Sequence, residues 1–130
     1  MKSVTILLIS AFAVANSANA NQGQVYITNC RNEIGLTENK VTSFLDGNFS
    51  EEPELKEFLF CMYKKLGAMN AAGEIQNDMV KKELLRKYSS ELVNKIIKKC
   101  VSRKSTPQET AFQMFKCIDN GGKKFTNNSF

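Results

Sequence analysis

The chain has 130 residues, 18 Lys or Arg against 13 Asp or Glu, a formal charge of +5, four cysteines and no histidine. Without histidine there is no Ser-His-Asp or Cys-His nucleophile and no histidine base of the kind small secreted phospholipases use. A zinc site would also lack its usual ligands, since no CxxC pair occurs either.

The first twenty residues, MKSVTILLISAFAVANSANA, place Lys2 before an apolar run from Val4 to Val14 and then Ala18-Asn19-Ala20. This pattern predicts a signal peptide over 1–20 that ends at a small-residue cleavage site and is too short to span a bilayer. Its removal takes Lys2 from the +5 total and leaves residues 21–130 as one domain at +4, a mild and diffuse charge. No later stretch is apolar enough to cross a membrane. In a secreted chain, the even set Cys30, Cys61, Cys100 and Cys117 reads as disulfides and not as metal ligands.

Along the rest of the chain, Val25, Ile27, Cys30 and Ile34 form a weak helical pattern that Gly35 should end. Thr37 caps a short helix carrying Val41, Phe44 and Leu45, which stops at Asp46-Gly47. Asn48-Phe49-Ser50 and Asn127-Asn128-Ser129 match the glycosylation sequon and are read as chance matches. Pro53 opens a helix with Leu55, Phe58, Leu59, Met62 and Leu66 on one face, Cys61 beside them and Gly67 as its stop. The chain turns through Met69, Ala71-Ala72 and Gly73. Ile75 and Asn77 then precede a fourth helix in which Val80, Leu84 and Tyr88 face inward and Met79 and Leu85 lie at the margins.

From Ser89 or Ser90, Leu92, Val93, Ile96, Ile97, Cys100 and Val101 make a double stripe. Thr106-Pro107-Gln108-Glu109 then has the form of a helix start: a hydroxyl cap, proline at the first helical position, and a glutamate placed to bond back. Ala111, Met114, Phe115 and Ile118 form its apolar face, with Cys117 at the edge and a stop expected at Asn120-Gly121-Gly122. Lys123 to Phe130 is read as a frayed tail in preference to a lid closed by Phe125 or Phe130. Nothing reads as a strand, so the fold class is all-α, a bundle of five to six short helices.

Four cysteines allow three pairings, and spacing does not choose among them. If Cys100 bonds Cys117, the latter lies about 16 Å along its helix. Residues 102–105 must then run extended and the two helices must cross, because bonded Cα atoms sit within about 7 Å. Bridging Cys30 to Cys61 and Cys100 to Cys117 would close loops of about 32 and 18 residues, each contributing about 3–4 kcal/mol.

Glu51, Glu52 and Glu54 sit where the helix dipole favours acids, so they read as structural and not as a catalytic pair. The lysines and arginines mostly fall on polar helix sides and read as a solvated surface. A basic patch for nucleic acid would need interleaved aromatic residues that the chain lacks. Nine Phe, five Met and three Tyr can fill a core or line an adaptable pocket, and periodicity alone favours the core.

The cysteine spacing, with CVSRKSTPQETAFQMFKCI and FCMYKKLGAMNAAGEI, resembles the insect odorant-binding protein family (pheromone and general odorant binding) across essentially all of 21–130. Cys30, Cys61, Cys100 and Cys117 match the family's first, third, fourth and sixth cysteines, while Glu57 and Gln108 stand where its mutually bonded second and fifth would be. The resemblance is to a four-cysteine branch that includes beetle haemolymph and accessory-gland proteins. It implies the pairing Cys30 with Cys61 and Cys100 with Cys117, and a helix bundle around a hydrophobic cavity.

By that resemblance the protein is not an enzyme and needs no cofactor or metal. It implies a secreted carrier of small hydrophobic molecules such as odorants, pheromones or fatty acids in sensillar lymph, haemolymph or gland secretion. A cell-surface receptor is the further partner, with no nucleic acid and no stable membrane insertion. The alternative on the same fold is a cationic membrane-active or receptor-read protein.

Matching positions imply pocket contacts at Leu59, Tyr63, Met69, Ile97, Met114 and Ile118. Periodicity adds Leu66, Met79, Leu84, Tyr88 and Phe115, and Tyr26, Tyr63 or Tyr88 is a candidate for holding a polar head group. Lacking the middle bridge, the third helix should be untied from the last and the cavity deformable. With no histidine, imidazole-driven ligand release does not apply.

Overall fold

Every regular element of the computed structural model, which describes residues 22–127 with side chains up to Gly121, is helical. The elements are α1 (22–34), α2 (Glu38–Leu45), α3 (Pro53–Leu66), α4 (Asn77–Leu85), α5 (Ser90–Cys100) and α6 (Pro107–Asn127). The expected signal peptide, and the side chains of Phe125 and Phe130, lie outside the described residues.

Helix starts follow local chemistry. Thr37 Oγ1 accepts from the Lys40 N–H at 3.3 Å, Ser89 Oγ from Leu92 at 3.3 Å, and Thr106 Oγ1 from Glu109 at 3.0 Å. Pro53 stands at the head of α3, where its missing N–H is no loss. At the other end Gly67 takes the left-handed conformation (φ 80°) and returns its N–H to Lys64 and Tyr63.

Three details differ from the sequence reading. α4 ends at Leu85, so Tyr88 lies in the following turn, its N–H bonded to Leu84 O at 2.9 Å. The cause is Ser89, whose capping role needs extended backbone (φ −67°, ψ 159°) and so a break before α5. α6 runs through Gly121-Gly122 to Asn127. Glycine permits a left-handed stop without compelling one, and in a helix interior it costs about 0.5–1 kcal/mol relative to alanine. Finally, the Glu109 carboxylate, placed by sequence to bond back to Thr106, instead takes Lys56 Nζ at 2.7 Å and Gln113 Nε2 at 2.6 Å.

That last contact changes the expected mechanics. Among α2 to α6, α3 and α6 share the most extensive packing. Lys56 reaches across it to Glu109 and lies 5.2 Å from the centre of the fully buried Phe112 ring. The third helix is therefore tied to the last without the family's middle bridge.

The two disulfides are Cys30–Cys61, joining α1 to α3 with Cα atoms 5.8 Å apart, and Cys100–Cys117, joining α5 to α6 at 5.4 Å. Cys117 lies about three turns into α6, so α5 ends beside the middle of that helix, as a crossing pair does. Val101 leaves α5 in extended conformation (φ −97°, ψ 93°), and residues 101–104 carry no regular structure. Buried Thr110 ties this linker down: its hydroxyl accepts from the Lys104 N–H and donates to Thr106 O, both at 2.8 Å.

Two apolar clusters result. The larger holds Phe44, Leu55, Phe58, Leu59, Met69 and Phe112, with Phe49 and Phe115 against it. Its rings interlock, Phe44 lying 5.2 Å from Phe49 and 5.3 Å from Phe115, so most of the phenylalanine excess fills a solid core. The smaller gathers Ala68, Val80, Leu84, Leu92, Val93, Ile96 and Met114 between α4, α5 and α6, and Tyr63 borders both.

Candidate functional site

Where the resemblance implies a hydrophobic cavity enclosed by the bundle, the most apolar hollow is a pocket of about 110 Å³ at the flank of the smaller cluster. α3 supplies Tyr63 and Leu66, α4 supplies Val80, Glu83 and Leu84, α6 supplies Met114 and Ile118, and Ala68 follows the turn at Gly67. Helical spacing explains the grouping: Val80 and Leu84 are four apart on one face, as are Met114 and Ile118. Larger hollows elsewhere are lined mainly by charged, amide and hydroxyl side chains, for example Gln24, Thr28, Arg31, Glu38 and Thr42, and offer less to an apolar ligand.

Among the eight lining residues only Tyr63 and Glu83 carry side-chain oxygen, and there is no side-chain nitrogen. Burial raises the Tyr63 phenol well above its ordinary pKa, which keeps it protonated as a neutral hydrogen-bond donor. Glu83 lies 3.7 Å from Arg86 Nη2, with its side chain 30% exposed at the rim.

Of the candidate contacts, Tyr63, Leu66, Leu84, Met114 and Ile118 come together in this pocket. Leu59, Met69 and Phe115 belong to the phenylalanine-rich cluster instead. Tyr88 and Ile97 pack against the smaller cluster away from the lining, and the half-buried Met79 lies against Gly67, its Cε 3.3 Å from where a Cβ would stand. Ala68, Val80 and Glu83 line the pocket without having been named as contacts. Val80 was legible as inward-facing, but Ala68 and Glu83 carried no sequence signal.

Of the candidate head-group tyrosines, Tyr26 lies outside this pocket and accepts a hydrogen bond from Gln22 Nε2 at 2.8 Å. The described residues bring Cys30, Glu33 and Cys61 together as potential metal donors, but both sulfurs are committed to a disulfide and hold no thiolate for an ion. None of the described helices is long and apolar enough to cross a membrane.

Comparison with known proteins agrees with this architecture. The B1 protein of Tenebrio molitor is 34% identical over 90 residues, covering 68% of this chain and 69% of that protein. The structure of odorant binding protein 5 from Apis mellifera superposes with a TM-score of 0.70 at 19% identity, over 84% of this chain and 94% of that one. The THP12 carrier protein of the yellow meal worm gives 0.56 at 33% identity, over 68% and 83%. Residues 13–120 match as a block, and the chain belongs to the PBP/GOBP family.

Proposed function

We propose that the protein is a secreted, non-catalytic carrier of small hydrophobic molecules in extracellular fluid, with the Tyr63, Leu66, Leu84, Met114 and Ile118 pocket as the ligand seat. The observation that carries this reading is an almost wholly apolar pocket between α3, α4 and α6 in a chain of this family. A relative with 33% identity being described as a carrier protein adds support. Binding then comes mainly from removing ligand hydrocarbon from water, about 25 cal/mol per Å². At about 110 Å³ the seat lies below the roughly 300–1,000 Å³ of common ligand pockets. It therefore takes a small molecule, or the end of a longer chain whose remainder needs space opened beside it. Release at a chemosensory or other cell-surface receptor, from sensillar lymph, haemolymph or a gland secretion, completes the reading.

The test is titration of the purified protein with a fluorescent naphthylamine probe, repeated on Ala68→Leu. Ala68 is buried in the pocket wall, so the longer side chain occupies the seat without disturbing the phenylalanine core. Probe affinity should fall about tenfold or more with helical content unchanged. An Ala68→Leu protein that binds as well as the parent would show that this pocket is not the seat.

A further inference from the structure

We propose that a polar groove beside the apolar pocket is the head-group end of the same site, and that Lys65 and Arg86 make it selective for amphiphiles bearing a carboxylate. This rests on the carrier reading above. The groove, about 280 Å³, is bordered by Tyr26, Lys65, Leu66, Glu83 and Arg86. Two of these, Leu66 and Glu83, also line the apolar pocket, so the same pair of residues stands between the two hollows.

The charged side chains at that wall are lightly held. Glu83 lies 3.7 Å from Arg86, beyond hydrogen-bond reach, and Lys65 lies 3.9 Å from Glu33, whose side chain is 59% exposed. Exposed pairs of this kind hold side chains weakly. Joining the hollows requires the Leu66 and Glu83 side chains to rotate between staggered conformers, and such flips are fast. The joined space falls within the common range for ligand pockets, which the apolar pocket alone does not reach.

An amphiphile then fits in one orientation, with its hydrocarbon among Val80, Leu84, Met114 and Ile118 and its head in the groove. Glu83 occupies the anion's seat beside Arg86 while the site is empty. When it swings out the groove is left with two cations, and a ligand carboxylate takes its place against the planar guanidinium fork. Lys65 stands in the last turn of α3 and Arg86 at the cap of α4, where cations offset the negative helix ends. That role alone would affect stability and leave the order of ligands unchanged.

The experiment is displacement of the naphthylamine probe from the purified protein by decanoate, decanol and decylamine, which share one chain length. Decanoate should displace at about tenfold lower concentration than decanol, with the gap narrowing as salt rises. The double variant Lys65→Ala with Arg86→Ala should abolish that gap, chiefly by weakening decanoate. Glu83→Gln, which removes the internal competitor for the anion's seat, should widen the gap severalfold in favour of decanoate. Equal displacement by decanoate and decanol in the parent, preference for decylamine, or a gap that survives the double variant would overturn the head-group assignment while leaving the carrier reading intact. Absence of any probe binding would overturn both.

Discussion

Lys56 Nζ lies 2.7 Å from the Glu109 carboxylate, fastening α3 to α6 one residue from Glu57 and Gln108, where the odorant-binding pattern has a disulfide. An ionic tie differs from a covalent one in answering to pH. The hydrogen bond from Lys56, then that from Gln113, holds the Glu109 pKa below the ordinary carboxylate value. A carboxylate lowered in the folded state stabilises fully above its unfolded pKa and stops doing so as pH falls through its folded one. The hydrogen bond to Glu109 raises the Lys56 pKa, so that contribution is present below the ordinary lysine pKa and is lost as pH rises through the raised one. Thermal midpoints measured against pH should therefore show Glu109→Gln below the parent on the plateau, with the two curves converging in acid. Parallel curves would mean the pair contributes nothing.

Gly73 faces Pro107 at the head of α6. A Cβ on Gly73 would stand 2.4 Å from Pro107 Cγ, and the glycine has φ +85°. The loop that carries it is closed by an isolated bridge between Met69 and Ile75 and by Asn70 Oδ1, which accepts from the N–H groups of Ala72 and Glu74. It has little room to give. Gly73→Ala should cost about 2 kcal/mol or more, combining left-handed strain with overpacking, as read by denaturant midpoint. A neutral result would mean the loop shifts freely off α6.

The helix starts were legible because the partners involved lie within one helical turn. Thr37, Ser89 and Thr106 each cap through a bond to an N–H three residues on, so local pattern suffices. Tyr88 illustrates the limit, because the apolar period continues past Leu85 while the backbone breaks to let Ser89 cap α5. The lining of the apolar pocket was half legible for a related reason. α6 turns Ala111, Phe112 and Phe115 toward one cluster and Met114 and Ile118 toward the other, faces that periodicity merges into one. Leu59 and Met69 likewise point inward, but toward the phenylalanine core. Lys56 with Glu109, and Leu66 with Met114, meet only through tertiary packing, about which spacing within one helix says nothing.

Thr110 belongs to that second class, a fully buried hydroxyl in an apolar helix face that joins the 101–104 linker to α6. Valine matches its shape but leaves the Lys104 N–H without its acceptor. Thr110→Val should therefore cost about 1–3 kcal/mol in spite of the added apolar surface. Hydrogen exchange at the Lys104 amide should rise with it. An unchanged amide would show that the linker is held by other contacts.

The disulfides should separate stability from binding. Their sequence separations of 31 and 17 give similar expected losses on removal, about 3–4 kcal/mol each if the bridge acts by restricting the unfolded chain. Their places in the fold differ. Cys100 and Cys117 pack in and against the smaller cluster, and Cys117 is the neighbour of the pocket residue Ile118. Cys30 and Cys61 lie in the phenylalanine-rich cluster, which stays packed through its own ring contacts. Cys100→Ser with Cys117→Ser should therefore weaken naphthylamine binding severalfold more than Cys30→Ser with Cys61→Ser, compared at a temperature where both variants are folded by circular dichroism. The reverse order would move the ligand seat toward α1 and the larger cluster.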